Sequence, residues 1–485
     1  MYNKKEKACF RNLGRIFYQM SKETIVSVQQ FGIFTILAIV IIFTACDNSS
    51  SVSSDPDVIG QVIITPDSAS LEVGETLQFT ATVYDQNGQV MHGETVTWIS
   101  NNGNVAEVDE NGLATALFEG TANILVSASG QASDIAQLNV INLVSGSWQP
   151  VGSGMNDDVR AFTEFEGDLV AGGWFTTAGG ETANRVARWD GSEWLSIGSV
   201  GDPDNWQASV HTLTVFNGDL IAGGGFITAD GQTVNNIARW DGSNWQSMGD
   251  GMDNAVLGLT VFEDDLIAVG TFRHAGGEQA QYVARWNGTE WQPMASGMNG
   301  SVSAVEVFGS DLIIGGVFKS IGGQAATRVA RWDGTGWQPM GTVGDPDDSN
   351  EWVLALIVFD NELIVGGRFE TTDGREVNNV ARWDGSGWQP LDTGTSREVQ
   401  TLTTFDGDLI AGGHFITASG IEVRRTARWD GSRWQPMGPG IGSPHTGLSS
   451  VDALIVHDDN LFVGGEFTST GSGKSANNVA RWEKP

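Results

Sequence analysis

The sequence predicts an all-β chain in which a small β-sandwich precedes a seven-bladed β-propeller closed by an N-terminal strand. Three observations carry that prediction. An Ala-Arg-Trp phrase recurs at Trp189, Trp240, Trp286, Trp332, Trp383, Trp429 and Trp482. Successive copies lie 46 to 53 residues apart, the length of a four-stranded blade. The ends of this array complement each other. A Ser147-Trp148-Gln149-Pro150 strand stands ahead of the first repeat, and the last repeat stops at Arg481-Trp482-Glu483-Lys484-Pro485 without its own copy. From Gln61 to Asn142, finally, short runs alternate apolar with polar residues between turn signals, the pattern of half-buried strands.

Taken in order, the first 45 residues read as an address. Residues 1–30 are polar and basic (Lys4, Lys5, Lys7, Arg11, Arg15, Lys22), and an apolar run follows from Phe31 to Ala45. That run is short for a membrane span of about 20 residues and right for the core of a signal peptide. It ends in Phe43-Thr44-Ala45-Cys46, which resembles the bacterial lipobox, with Phe43 where Leu, Val or Ile is usual. The resemblance implies a lipoprotein signal peptide over 1–45 and lipidation of Cys46. An uncleaved anchor is the other reading, and both tether the rest outside the cytoplasm. Residues 46–60, rich in Ser and Asp, read as a flexible tether.

Residues 61–142 form the second unit. Val62-Ile63-Ile64, Leu77 to Val83 and Ala122 to Val126 are its clearest strands, and Gln86-Asn87-Gly88 and Glu110-Asn111-Gly112 its clearest turns. The spacing suggests an immunoglobulin-like β-sandwich. Pro66, Val73-Gly74-Glu75-Thr76-Leu77, Val96-Thr97-Trp98-Ile99-Ser100, Asn111-Gly112-Leu113-Ala114-Thr115-Ala116 and Gly120-Thr121-Ala122 resemble the bacterial immunoglobulin-like domain, group 2. That resemblance implies a spacer or adhesion module. Trp98, in an alternating strand, reads as core.

Residues 144–485 are the propeller. Each repeat divides into a first strand such as Val399–Phe405, a second ending in a glycine pair and Phe, the Ala-Arg-Trp strand, and a Trp-Gln-Pro strand. Asn-Gly and Asp-Gly supply the positive φ angles that the hairpins need. The glycine pairs are expected to clear room for an aromatic ring of the next blade. The Ala-Arg-Trp tryptophans are expected to pack between blades. Their neighbouring arginines are expected to pair with Asp168, Asp219, Asp265, Asp311, Glu362, Asp408 and Asp459 as a structural girdle. The Gly-Gly pair and the following Trp strand resemble kelch-type propellers, with Phe175, Phe226, Phe272, Phe318, Phe369, Phe415 and Phe467 where kelch repeats carry Tyr. The resemblance is one of fold.

Composition narrows the function. The 26 Lys/Arg against 59 Asp/Glu give a formal charge of −33, which repels nucleic acid and anionic lipid. Cys9 and Cys46 are the only cysteines and build no disulfide framework. There is no His-Glu-x-x-His and no Gly-x-Ser-x-Gly. Gly471-Ser472-Gly473-Lys474-Ser475 has Thr468 where a phosphate loop needs its first glycine.

Function is therefore expected where blades differ. Two long loops are alike: Gly201 to Trp206, with Asp202, Asp204 and Trp206, and Gly344 to Trp352, with Asp345, Asp347 and Trp352. A loop tryptophan offers a stacking face, and carboxylates accept bonds from sugar hydroxyls or ligate Ca²⁺. The bland alternative folds these rings over their own blade. A second variable position follows each glycine pair, and there Trp174, Arg368, His414 and Glu466 are the candidates. No metal or other cofactor is assigned beyond this opening for Ca²⁺. The chain then reads as an exported, lipid-anchored monomer of the outer membrane or cell surface that binds a glycan or an envelope or extracellular protein. A carbohydrate-active hydrolase or lyase using rim carboxylates, and a structural assembly factor, are the alternatives.

Overall fold

The computed structural model describes residues 58–72, 75–117, 120–130, 132–141, 146–294, 298–442 and 449–484. The signal peptide, Cys46, most of the tether and Val73-Gly74 lie outside the described residues. Every regular element among those described is a β-strand. None of them is a helix long and apolar enough to cross a membrane.

The sandwich begins at Ile59, slightly ahead of the expected boundary. Ile59–Thr65 pairs antiparallel with Thr80–Asp85. Ser68–Glu72 runs parallel to Ala132–Ile141, whose other side carries Gly120–Ala128 and then Val96–Ser100. Alternation along Gly120–Ala128 sends Ala122, Ile124 and Val126 inward, where they meet Phe79, Leu138 and Val140. Trp98 packs against this core, half-buried.

Seven four-stranded antiparallel sheets follow, each in simple order from an inner to an outer strand. We number the blades by their inner strands: Val159–Phe165, Ser209–Phe216, Val256–Phe262, Val302–Phe308, Trp352–Phe359, Val399–Phe405 and Ala453–His457. Each inner strand lies beside the next around the ring, and Ala453–His457 lies beside Val159–Phe165. In blade 7, Val479–Glu483 takes Ser147–Pro150 as its outer partner, with Trp148 opposite Trp482 and their rings 5.1 Å apart. The chain's two propeller ends thus share one sheet, and the ring closes with all seven blades four-stranded and only short outer edges left.

The blades interlock through a smaller residue than the sequence predicted. A Cβ on Gly172 would lie 2.5 Å from Val210 Cγ1, and one on Gly464 would lie 2.6 Å from Val159 Cγ1. The first glycine of each pair therefore receives a valine from the neighbouring blade, and only in blade 7 does an aromatic ring join it, with Phe162 Cε2 2.8 Å from a Cβ on Gly464. Inner strands converge on the axis, and the narrow gap between sheets there favours a compact β-branched side chain. Blade 3 inverts the fit. Val269 replaces the first glycine, and Gly258, its cross-strand partner on the same blade's inner strand, supplies the space, since a Cβ there would meet Val269 Cγ2 at 2.9 Å.

Farther out, each Ala-Arg-Trp ring tilts against the tryptophan of its outer strand, with centroids 5.1–5.5 Å apart. The outer-strand rings are the more deeply buried, whereas Trp240, Trp286, Trp332 and Trp383 are half-buried. In six blades the outer indole also donates to a carbonyl of the preceding blade, as Trp388 Nε1 does to Met340 O at 2.7 Å. The girdle forms in blades 1 to 6, from Arg428–Asp408 at 2.7 Å to Arg285–Asp265 at 3.7 Å. In blade 7 Asp459 sits in the turn at positive φ, and Arg481 makes no such pair with it.

Candidate functional site: one rim of the propeller

Two connections per blade reach the same rim, one leading to the next blade and one joining the second and third strands. In blades 1 to 6 the latter folds into a small hairpin, such as Thr177–Ala178 with Glu181–Thr182. Bridges such as Met155 to Ala178 and Val343 to Thr372 tie it to the loop arriving from the preceding blade. The sequence reading missed these hairpins, whose signal was the recurring glycine near their tips.

The rim loops are braced from beneath. The residue before each third strand is left-handed: Arg185, Asn236, Tyr282, Arg328, Asn379, Arg425 and Asn478. Beneath short loops, asparagine reaches one carbonyl, as Asn236 Nδ2 does to Met252 O at 2.8 Å. Beneath long loops the position is arginine. Arg328 is 0% exposed. Its guanidinium donates to Glu351 O at 2.9 Å, Val343 O at 2.8 Å, Asp345 O at 2.9 Å and Asp348 O. Arg185 grips Ala208 O and Asn205 O in the same way. A buried guanidinium with this many carbonyl partners holds a long loop in one shape.

The predicted site residues fall into separate places. Asp202 Oδ1 accepts from Asp204 N at 3.0 Å, and Asp345 Oδ1 from Asp347 N at 2.8 Å, so both are engaged in their own loop turns. Asp204 and Asp347 are exposed. Trp206 is 74% exposed beside a cleft of about 470 Å³ lined by Asp202, Pro203 and Ile227. Trp352 instead opens an inner strand, opposite Arg368, whose Cζ lies 5.3 Å from the ring centroid. One loop joins blades 1 and 2 and the other blades 4 and 5, so the two tryptophans do not share a site. Among the described residues, no group of three or more His, Cys, Asp or Glu side chains is placed to hold a metal ion.

Trp174, His414 and Glu466 stand at equivalent positions on blades 1, 6 and 7, which adjoin around the ring. Each inner strand begins with the motif x-Val-y. Its y residues are Arg160, His211, Leu257, Ser303, Leu354, Gln400 and Asp452, so ionisable groups gather on blades 7, 1 and 2. Arg160 Nε donates to Asp158 Oδ2 at 2.7 Å, and its guanidinium lies 5.7 Å from the Trp174 centroid. Ser450 Oγ donates to Asp452 Oδ2 at 3.0 Å. The Asp158 and Asp452 carboxyls interact across the seam between blades 7 and 1, and the Oδ1 atom of each is buried with no hydrogen-bond partner. Burial first, and the Asp452 charge second, push Asp158 up to about 7. Burial also raises Asp452. Burial and then Arg160 push His211 down to about 4, with Ser209 Oγ 3.1 Å from its Nε2. The sequence reading passed over Asp158, Arg160 and Asp452. Aligning the seven x-Val-y motifs would have exposed them.

A cleft of about 630 Å³ opens on this rim between blades 5 and 6, within the range of small-ligand sites. Asn350, Arg368, Glu370, Thr393, Arg397 and Glu398 line it among others. The braced loop 344–351 forms one wall. Glu351 anchors it further by accepting from Glu370 N at 3.0 Å.

Fold and rim together define a bacterial Ig-like domain joined to a β-propeller, a pairing that suggests a surface protein of binding or adhesion type. Residues 58–136 match the bacterial Ig-like domain (group 2). Residues 167–189 match a β-propeller domain of unknown function. No curated protein matches the chain. Among solved structures, the WD40 β-propeller domain of Doa1 is 14% identical with a TM-score of 0.46, covering 70% of this chain and 96% of that one. The β-propeller domain of the Trilobed protease from Pyrococcus furiosus, described as having an open velcro topology, is 11% identical with a TM-score of 0.37, covering 70% and 95%. Domains 5–6 of the S-layer protein SbsC are 16% identical with a TM-score of 0.17, covering 39% and 93%.

Proposed function

We propose that the protein is an exported, lipid-anchored adhesin whose kelch-like propeller binds a glycan on its loop-rich rim. The carrying observation is the cleft between blades 5 and 6. Side-chain amides, hydroxyls and charges line it, and a wall fixed by Arg328 pre-organises it, which lowers the ordering cost of binding a polar ligand. The lipobox-like Phe43-Thr44-Ala45-Cys46 supports anchoring through Cys46, with the Ig-like domain as spacer and the outer membrane or cell surface as the site of display. An envelope protein is the alternative partner, favoured at a different place by the open Trp206 ring with Ile227, itself 56% exposed.

A glycan array probed with the full chain tests the reading. Binding without turnover is expected. Thr393→Trp, which fills the cleft from an exposed position, should abolish binding without changing the melting temperature. Binding that survives this change would move the site elsewhere, and Trp206→Ala would then be the next variant to measure.

A further inference from the structure

The cleft between blades 5 and 6 presents its charges unevenly, and this deepens the glycan reading, on which it rests. In a chain with 59 Asp/Glu and 26 Lys/Arg, a surface arginine has acids within easy reach, and six girdle arginines have each taken one. Arg368 and Arg397 have not. The Arg368 guanidinium lies over Trp352 at 5.3 Å and forms no ion pair among the described residues. The Arg397 guanidinium forms neither an ion pair nor a hydrogen bond there. Most neighbouring acids are already committed. Glu351 faces Arg328 at 3.6 Å and accepts from Glu370 N. Glu398 lies 3.3 Å from His414 Nδ1, and Asp348 Oδ1 caps Asn350 N at 2.7 Å. Only Glu370, exposed, is left uncommitted. The cleft thus offers two open guanidinium forks in an otherwise acidic protein.

We propose that Arg368 and Arg397 bind the oxyanions of an acidic polysaccharide in this cleft, through either uronate carboxylates or sulfate esters. Both oxyanions match the fork of donors that a guanidinium presents. Trp352 holds the Arg368 plane in place before the ligand arrives, so little side-chain freedom is lost on binding. His414 reports the same local field. Burial first lowers its pKa, and Arg425, Arg397 and Arg160 lower it further against Glu398. The net charge of the protein repels polyanions in general, so measured binding of one would have to come from a local cationic site.

Calorimetry on the full chain with polygalacturonate, dextran sulfate and uncharged dextran tests the proposal. At least one polyanion should bind, and dextran should not. Arg368→Gln and Arg397→Gln should each weaken binding by about tenfold or more with unchanged melting temperature, and added salt should weaken it further. Binding of polygalacturonate alone identifies the carboxylate source, and of dextran sulfate alone the sulfate source. Polyanion binding that survives both arginine changes would overturn the assignment. So would a neutral glycan whose binding is lost in Thr393→Trp yet kept in both glutamine variants, and that outcome would leave the glycan reading standing. If no glycan of any kind binds, both readings fall.

Discussion

Asp158 and Asp452 lie on adjoining blades, and each has a buried Oδ1 without a hydrogen-bond partner. The folded chain keeps a proton on Asp158 up to about pH 7, whereas the unfolded chain releases it near the ordinary aspartate value of about 4. Across that window the native state binds more protons, so stability falls as pH rises towards 7 and levels off above it. Arg160, Ser450, Asp452 and Gln400 are the groups facing the pair. His211 acts in the opposite direction. Its folded value of about 4 lies below the ordinary value of about 6.5, so stability is lost as pH falls through that interval. Because both act over about pH 4 to 6.5, the two contributions offset each other there, and chemical denaturation of the native sequence at a series of pH values should show little net slope from them. Asp158→Asn should remove the declining contribution and leave stability rising with pH across that interval, and an unchanged profile would deny the raised Asp158 pKa. Individual tryptophans differ as well. Trp388→Ala should cost about 3–5 kcal/mol, and Trp383→Ala measurably less, because only Trp388 is fully buried and bonded across the blade junction. The sequence showed both tryptophans recurring but could not rank them, since rank depends on which ring turns inward at the twist of each sheet.

Among the elements, the rim loops divide by what lies beneath them. Asparagine serves a short loop and arginine a long one, as Asn379 bonding Thr395 O at 2.8 Å and Arg328 bonding four carbonyls show. Arg328→Asn would install the short-loop solution under a long loop. Loop 344–351 should then exchange its amide hydrogens faster, and global stability should drop by about 1–3 kcal/mol as carbonyls lose their donor. Unchanged exchange in that loop would show that its shape is self-supporting. The two long loops were legible from length and from their shared Gly-Asp-Pro-Asp opening. Their braces were not, because Arg185 and Arg328 precede them by more than a dozen residues and meet them only after the blade folds. The same reason hid the valine-to-glycine fit. The glycine pairs announced a close approach, but which side chain approached was settled by the neighbouring blade.

At the scale of the whole molecule, repetition fixes the ring and departure from repetition fixes its use. Seven near-identical blades cancel one another's individuality everywhere except the rim that carries x-Val-y, the long loops and the cleft between blades 5 and 6. The opposite rim is a series of like turns, held in five blades by an aspartate such as Asp384, which accepts from Ser386 N, Ser386 Oγ and Gly387 N, and in blade 3 by Asn287. Complementary ends made the closure readable in advance, because an unpaired outer strand at one end and a missing one at the other admit a single economical pairing. The cleft was only partly readable. Arg368 stood at a variable position, but Arg397 and Thr393 sit in a loop of ordinary length and composition and become neighbours of Arg368 only around the ring. Hydrogen exchange of the full chain with and without polygalacturonate examines this division of labour most directly. Protection is predicted in 344–351, 368–379 and 393–398, with the turns of the opposite rim and the Ig-like domain unchanged. Protection confined to those opposite turns or to residues 58–141 would contradict it.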